Sequence, residues 1–293
     1  MCLQSRFLTN YMRPDFIGLG SGRSGTNWLS ACLFEHPEVC VPTGEVHFFS
    51  RERNWSKGFV WYEDIFAGCA VDKKKGELSA SYFADPQTPE RIYNRYPGIK
   101  LIVSLRNPVE RAFSNYVNEL SVGLIDKKLS FLEAVKERPE YINAGRHATN
   151  LKRYLRIFPR EQILIIIFDD IAGKPREIIG RVFEFIGVDK NFVPAVATEK
   201  VNRALNPRFI WLNRIFARLS GFFNQPALRP LWWLIKKTGI TKVLLKINAR
   251  AASERPLLTD SDKIELYQIF KDEIGQLEKL LDRKLPSWHY IVR

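Results

Sequence analysis

Short runs of apolar residues alternate with stretches of helical periodicity along the first two thirds of the chain. The runs at 15–19, 100–105 and 162–168 are rich in Ile, Leu and Val, which predicts strands buried on both faces. A further short strand is predicted at 39–41. The spacing of apolar residues predicts helices at 26–35, 109–120, 150–158, 175–186 and 260–281.

This alternation predicts an α/β fold in which helices flank both faces of a central parallel sheet. We expect a single P-loop-like domain over residues 1–293, with ligands at the carboxyl ends of the strands. Near the end of the chain, Thr259 is the predicted cap of the last helix. Segment 257–293 is therefore expected to return to the core.

Basic residues are concentrated in residues 200–256. The chain has 293 residues and a net charge of +13, and this segment holds 12 basic side chains and one acidic one, or +11. It is also rich in large aromatic residues and interrupts the α/β alternation, which predicts a basic, aromatic helical insert. Either its aromatic residues pack on the domain beneath solvated Lys and Arg, or it is an acceptor lid that contacts an anionic membrane surface. No known nucleic-acid-reading module is present, so we expect no nucleic-acid partner.

The four cysteines Cys2, Cys32, Cys40 and Cys69 show no C-x-x-C spacing and no zinc-like pairing with the four histidines. So few thiols predict a reducing compartment, without a disulfide scaffold or a structural metal. The N-terminus lacks the apolar core of a signal peptide, and no uncharged apolar run reaches about 18 residues. We therefore expect a cytoplasmic protein that is peripheral to the membrane if the insert contacts lipid.

A glycine-rich loop follows the first predicted strand and leads into a helix, from Gly18 to Trp28. Glycines let backbone N–H groups approach an anion, and the helix N-terminus favours negative charge, so we expect phosphate. Thr26 occupies the lysine position of the G-x-x-x-x-G-K-[ST] loop, which disfavours ATP or GTP hydrolysis. The loop also fits G-x-G-x-x-G, with Glu45 as a ribose-binding acid, so a dinucleotide site stays open here.

The run R-S-G-T-x-W from Arg23 to Trp28, followed by LSACLFEHPEV, narrows these alternatives. It resembles the 5′-phosphosulfate loop of sulfotransferases that use 3′-phosphoadenosine 5′-phosphosulfate (PAPS). The resemblance implies that the 5′-phosphosulfate of PAPS is bound by Arg23, Ser24, Gly25, Thr26, Asn27 and Trp28.

A second element, RNPVERAFSNY, follows the strand at 100–105. It is similar to the family motif R-[DN]-P-x-x-R-x-x-S-x-[YW], which implies that Arg106 and Ser114 bind the 3′-phosphate. An Arg at a strand end and a Ser in the next helix suit phosphate oxygens as donors. VNRALNPR resembles a basic loop that closes over the nucleotide in relatives, which makes Arg203 and Arg208 candidates. The C-terminal run LLDRKLPSW also looks like the C-terminal sequence of bacterial sulfotransferases.

The segment GEVHFF is similar to an element of the heparan sulfate 3-O-sulfotransferase branch whose Glu is the general base. The resemblance implies that Glu45 deprotonates the acceptor without a metal, that Arg23 neutralises the leaving phosphate, and that His47 orients the acceptor or Glu45. Leu78 stands where members near this branch have a Lys close to the sulfuryl group.

We therefore expect a PAPS-dependent sulfotransferase acting on a hydroxyl or amine of a glycan, glycolipid or other acceptor. One alternative is a nucleotide kinase or a dinucleotide-binding oxidoreductase. Thr26 disfavours the kinase, and the element from Arg106 to Ser114 has no role in an oxidoreductase. Another is a catalytically inactive nucleotide-binding module, which Leu78 favours.

Overall fold

Five parallel strands form the central sheet in the described part of the protein. The computed structural model describes residues 12–198 and 256–290. The strands are β1 (Phe16–Gly18), β2 (Val39–Cys40), β3 (Lys74–Leu78), β4 (Lys100–Leu105) and β5 (Ile163–Ile167). Their spatial order is β2-β3-β1-β4-β5, and every neighbouring pair is parallel. The predicted α/β class is confirmed.

Helices cover both faces of this sheet. The described helices are α1 (Thr26–Glu35), α2 (Glu52–Trp55), α3 (Gly58–Asp64), α4 (Thr88–Arg95), α5 (Pro108–Val122), α6 (Phe131–Glu137), α7 (Glu140–Asn143), α8 (His147–Leu155), α9 (Phe168–Gly173), α10 (Pro175–Ile186) and α11 (Asp260–Leu281). Three short 3-10 helices are Arg160–Gln162, Ala195–Thr198 and Pro286–Trp288.

Successive strand residues enter two separate hydrophobic cores. In β1, Phe16 packs into the core formed with α1 and α10, whereas Ile17 packs into the larger core on the other face. Because strand side chains alternate between faces, a sheet covered on both sides needs apolar residues at consecutive positions. The continuous apolar runs of β1, β4 and β5 follow from this burial.

The structure adds a strand that the hydrophobic pattern does not reveal. The sequence of β3, KKGEL, begins with two lysines and has a single large apolar residue. It nevertheless lies inside the sheet between β2 and β1. Lys75 is buried there, and its burial is tolerated because its Nζ donates to the carbonyl oxygens of Val71 and Lys73 at 3.3 and 3.1 Å.

The predicted helices are confirmed with small shifts of their bounds. Helices α1, α10 and α11 have the predicted limits, and Thr259 caps α11 in a capping box with Asp262. Helix α8 begins three positions before the predicted start, at His147. Helix α11 packs on α8 and α5, so the predicted return of the C-terminal segment to the core is seen in its described part.

A disulfide joins Cys40, in β2, to Cys69, beyond α3. The prediction of reduced thiols without a disulfide is therefore wrong for this pair. Sequence spacing did not reveal it because β2 lies at the edge of the sheet, where the chain after α3 returns beside it to enter β3. Disulfides form and persist in oxidising compartments, so the cysteine content no longer supports a reducing one.

The predicted insert, residues 200–256, lies outside the described residues except for its last position. Its interpretation as a lid or as packed helices therefore stays a prediction. None of the helices within 12–198 and 256–290 has both the length and the apolar composition needed to cross a membrane.

Candidate active site

The glycine loop after β1 is held against two neighbouring segments. Gly20 and Gly25 have positive φ angles of +48° and +88°. A Cβ at Gly20 would lie 2.8 Å from Ala80 Cα, and one at Gly25 would lie 2.9 Å from Phe168 Cδ2. Glycine is required at both positions because the backbone is left-handed and the neighbours leave no space.

This loop leaves polar groups available at the start of α1. Gly25 is the N-cap and provides no side-chain hydrogen bond, so the first N–H groups of the helix are not capped by a side chain. Ser24 is fully buried, and its Oγ has no hydrogen-bond partner among the described residues. A buried hydroxyl without a partner is costly unless a ligand supplies one, and a helix N-terminus favours an anion. The loop therefore fits a phosphate-type group.

Arg23 connects the glycine loop to α5. Its Nε donates to Ser114 Oγ at 3.2 Å, and its Nη1 donates to Asn118 Oδ1 at 3.2 Å. Burial, and then the nearby charge of Arg106, lower the pKa of Arg23. Two cationic side chains held this close create a site for negative charge.

Arg106, at the end of β4, is fixed by contacts on several sides. It forms an ion pair with Glu110 at 3.0 Å, and its Nη1 donates to the carbonyl oxygen of Arg23 at 3.4 Å. Its guanidinium carbon lies 4.9 Å from the centroid of the Phe168 ring. Its own carbonyl oxygen lies 2.8 Å from Nε2 of the buried His147. Arg106 is thus positioned beside the glycine loop by side-chain and backbone contacts.

The C-terminal segment supports this turn from outside. Asn107 caps α5 by accepting from the Val109 amide at 3.0 Å, and its Nδ2 donates to the Tyr290 hydroxyl at 3.1 Å. The fully buried Trp288 donates its indole N–H to Asp169 Oδ2 at 3.0 Å. The C-terminal segment, whose sequence looks like that of bacterial sulfotransferases, therefore contacts the turn after β4 and the start of α9.

Glu45 lies on the loop after β2, opposite the start of α1. One carboxylate oxygen, Oε2, accepts from the Ala80 amide at 3.0 Å and lies 3.0 Å from His47 Nε2. The other oxygen, Oε1, has no hydrogen-bond partner in the described part of the chain. Burial opposes ionisation, but the hydrogen bonds from His47 and Ala80 outweigh it and lower the pKa of Glu45. Glu45 is therefore ionised at neutral pH with one oxygen available.

His47 is held from both ring nitrogens. Its Nδ1 lies 2.6 Å from Ser81 Oγ, which in turn lies 2.6 Å from Ser50 Oγ. Its φ angle is +52°, a left-handed conformation that is uncommon for a residue other than glycine. The backbone N–H of His47 donates to Ser79 Oγ at 2.8 Å, which stabilises this conformation.

A buried carboxyl group lies beneath this loop. Glu77, in β3, is fully buried and accepts from Ser79 Oγ at 2.7 Å, the same hydroxyl that binds the amides of Val46 and His47. Burial raises the pKa of Glu77 to about 7. The Glu77–Ser79 pair thus positions the loop that carries Glu45 and His47.

One cavity of about 480 Å³ has both the start of α1 and the loop after β2 in its lining. Thr26 and Asn27, at the start of α1, line it on one side, and Glu45 lines it on the other with Leu78 between them. The loop and Glu45 are also linked through Ala80, which contacts Gly20 and donates its amide to Glu45. The structure therefore brings the candidate base next to the candidate phosphate loop.

Of the predicted site residues, Thr26, Asn27 and Glu45 line this cavity, whereas Arg23, Ser24, Gly25, His47, Arg106 and Ser114 are not among its lining residues. The side chain of Trp28 is 6% exposed, packs in the core with α10 and donates its Nε1–H to the carbonyl oxygen of Ala197 at 3.2 Å. Arg203 and Arg208 lie outside the described residues. Sequence reasoning missed Asn118, although its position four residues after Ser114 predicts the same helix face. It also missed Ser81, for which the sequence gives no signal.

Within 12–198 and 256–290, no group of three or more His, Cys, Asp or Glu side chains is arranged to hold a metal ion.

Comparisons with known proteins show the family to which the chain belongs. Residues 13–206 match the model of the sulfotransferase domain family. Heparan sulfate glucosamine 3-O-sulfotransferase 6 of Mus musculus is 33% identical over 190 residues, covering 61% of this chain and 55% of that protein. Bifunctional heparan sulfate N-deacetylase/N-sulfotransferase 3 of Mus musculus is 27% identical over 298 residues, covering 94% of this chain and 31% of that protein.

A solved structure is similar over nearly the whole chain. The crystal structure of a sulfotransferase from Alicyclobacillus acidocaldarius has a TM-score of 0.66 and 26% identity, covering 94% of this chain and 98% of that one. The chain spans about half the length of the 3-O-sulfotransferases that it matches. The resemblance identified from the two phosphate motifs is confirmed.

Proposed function

Because the chain belongs to the sulfotransferase domain family, we propose that it transfers the sulfuryl group of PAPS to a hydroxyl or amine of an acceptor. The observation that carries this proposal is the cavity in which the start of α1 and the carboxylate of Glu45 face each other. A phosphate-type loop supplies a place for the donor, and an ionised carboxylate supplies a base for the acceptor.

The residues of the loop and of α5 fit PAPS as donor substrate. The unpartnered Ser24 Oγ and the uncapped amides at Thr26 and Asn27 suit the oxygens of the 5′-phosphosulfate. Arg106 and Ser114 suit the 3′-phosphate, since a guanidinium and a hydroxyl that both contact Arg23 offer several donors. When bound, PAPS supplies the sulfuryl group, which passes to the acceptor as its bond to the 5′-phosphate breaks.

Glu45 is the proposed general base. Its Oε1 accepts the proton of the acceptor hydroxyl, while Oε2 stays bound to the Ala80 amide and to His47. His47 orients this carboxylate and, through its own contact with Ser81, keeps its ring in one position. Arg23 stabilises the negative charge that develops on the leaving phosphate.

The acceptor class follows from the resemblance only in broad terms. The names of the similar mouse proteins refer to heparan sulfate, and glycans, glycolipids and other alcohols all belong to the proposed range for this chain. We also propose, from the charge of residues 200–256 alone, that this segment contacts the acceptor or an anionic membrane surface. Sedimentation with anionic liposomes at low salt tests the membrane contact, and absence of binding removes it.

Transfer of labelled sulfate from PAPS, measured for wild type and Glu45→Gln, tests the proposed function. Loss of the base is expected to lower kcat by roughly 100- to 10,000-fold. Binding of 3′-phosphoadenosine 5′-phosphate should be unchanged, because Glu45 contacts the acceptor side of the cavity. Full activity of Glu45→Gln contradicts the assignment of the base.

The second candidate is a nucleotide-binding module without activity. It is favoured by Leu78, an apolar residue in the floor of the cavity where members near the 3-O-sulfotransferase branch have a Lys. The two proposals differ in one result. A module binds the nucleotide but transfers no sulfate to any hydroxylated acceptor, whereas the enzyme does both.

A further inference from the structure

We propose that the acceptor is a neutral alcohol or phenol with an apolar body, bound in the cavity beside Glu45; this inference rests on the proposed sulfuryl transfer. The cavity begins at Glu45 and Thr26 and extends along one face of α1. An acceptor hydroxyl must reach Glu45, so the rest of the acceptor occupies the space that these walls enclose.

The walls beyond Glu45 are mainly apolar. Their apolar members are Ala31, Phe34, Val41, Pro42, Leu78 and Val196, and Ser30, Glu35 and Thr43 are the polar ones. Phe34 is 62% exposed, although a phenyl ring on the surface gains nothing from contact with water. A ligand that covers this ring would remove apolar surface from water, so Phe34 is suited to contact the apolar body of an acceptor.

The charge of the lining disfavours an anionic acceptor. Among the described lining residues, Glu35 and Glu45 carry carboxylates, and none carries a Lys or Arg side chain. A sulfated or carboxylated glycan would bring several negative charges next to these carboxylates, which is unfavourable at short distance. A neutral hydroxylated molecule meets no such repulsion.

The floor of the cavity is apolar for a structural reason. A Cβ at Gly18 would lie only 2.4 Å from Leu78 Cγ. The missing side chain of Gly18 therefore lets Leu78 lie directly against β1, where it is 7% exposed and forms the floor between α1 and Glu45. Thr26 and Asn27, the lining residues at the start of α1, are polar and uncharged.

The volume agrees with a small acceptor. Sites for small molecules commonly enclose about 300–1,000 Å³, mostly apolar with a few placed polar groups. This cavity has about 480 Å³ and places a carboxylate at one end. An aromatic or medium-chain alcohol fits that volume with its hydroxyl at Glu45.

The test compares three probes: 2-naphthol, 1-octanol and an N-sulfated heparan oligosaccharide. Labelled sulfate transfer from PAPS is measured with each, and binding of 2-naphthol to the protein loaded with 3′-phosphoadenosine 5′-phosphate is followed by its fluorescence. We expect transfer to the two alcohols and little to the oligosaccharide.

Phe34→Ala tests the wall directly, with Leu124→Ala as its matched control. The two side chains are 62% and 64% exposed, so neither change removes core packing, and Leu124 lies outside the cavity. Phe34→Ala should raise KM for 2-naphthol by about tenfold with kcat little changed. The lost contact stabilises the bound acceptor equally in the ground state and in the transition state. Leu124→Ala should leave both constants unchanged.

The contrary results separate this inference from the proposed function. If the protein binds 3′-phosphoadenosine 5′-phosphate but prefers the oligosaccharide, or does not bind 2-naphthol, the acceptor proposal alone is overturned. Equal effects of Phe34→Ala and Leu124→Ala also overturn it. If the protein does not bind the nucleotide, the proposed function fails, and the acceptor proposal fails with it.

Discussion

The Nε atom of Arg23 donates a hydrogen bond of 3.2 Å to Ser114 Oγ, across 91 positions of sequence. This contact joins the glycine loop to α5 and brings both phosphate motifs to one edge of the sheet. The edge is the one that parallel α/β folds use for ligands, because the carboxyl ends of all strands meet there. The guanidinium of Arg23 is thus oriented by residues of the second motif.

Asn118 positions Arg23 through the same helix. Its Oδ1 accepts from Arg23 Nη1 at 3.2 Å, so Asn118→Ala removes a hydrogen bond that orients this guanidinium. We expect affinity for 3′-phosphoadenosine 5′-phosphate to fall by about tenfold, since a hydrogen bond to a charged group contributes roughly 1.5–3 kcal/mol. Asn115→Ala is the matched control, because Asn115 lies on the same helix and contacts Glu119 instead. Equal losses in both variants contradict the role of Asn118.

The pH dependence of transfer depends on the contact between His47 and Glu45. Glu45 acts as base only when ionised, so kcat/KM should fall as pH decreases through its pKa, which lies below the usual value of 4.5. His47→Ala removes a hydrogen bond that lowers this pKa, so the acidic limb of the profile should move to higher pH. An unchanged limb would show that His47 does not act on Glu45. Ser81→Ala should lower kcat less than His47→Ala does. Ser81→Thr, which keeps a hydroxyl at this position, should recover kcat.

Glu77 should make the stability of the protein fall as pH rises. Burial raises its pKa to about 7, so the folded state favours the neutral carboxyl, and this stabilisation is lost between the usual value of 4.5 and 7. At about 1.4 kcal/mol per pKa unit, the loss is about 3 kcal/mol. Glu77→Gln cannot ionise and should not show it. Denaturant unfolding on both sides of this pH range measures the difference, and parallel pH curves for the two proteins contradict the prediction.

The disulfide between Cys40 and Cys69 encloses the segment that carries Glu45 and His47. Its removal should lower the free energy of unfolding by about 3.6 kcal/mol, as expected for a closed loop with a sequence separation of 29. Thermal unfolding of wild type should therefore shift to lower temperature in reductant. A variant with both cysteines replaced by Ser should unfold at this lower temperature with or without reductant. Insensitivity of the wild type to reductant contradicts the prediction.

Local patterns were sufficient for much of the fold, and the reasons for the failures are specific. Helices α1, α10 and α11 follow from amphipathic spacing and capping residues, which act within a few positions of the chain. Strand β3 is missed because its burial is set by the strands on either side of it, while Lys75 donates to Val71 and Glu77 accepts from Ser79, residues just outside β3. The Cys40–Cys69 bond likewise depends on tertiary contacts.

The residues of the candidate site also fall into two groups, those that the sequence predicts and those that depend on tertiary contacts. Arg23, Arg106 and Ser114 lie in motifs whose resemblance to sulfotransferase sequences predicts phosphate binding, and the structure brings them together. The groups that orient them come from distant segments, such as His147 beneath Arg106 and Ser81 beside His47. A single sequence contains no signal for those contacts, because they arise only when the chain has folded.

Calorimetric titration with 3′-phosphoadenosine 5′-phosphate tests the central claim most directly. Wild type should bind it, and Arg106→Ala and Ser114→Ala should each lose about tenfold or more in affinity, because each removes a phosphate donor. Arg283→Ala, which removes an ion pair with Asp170 away from the cavity, should bind like the wild type. Binding of ATP or NAD in place of this nucleotide, or affinity unaffected by both Arg106→Ala and Ser114→Ala, would contradict the account.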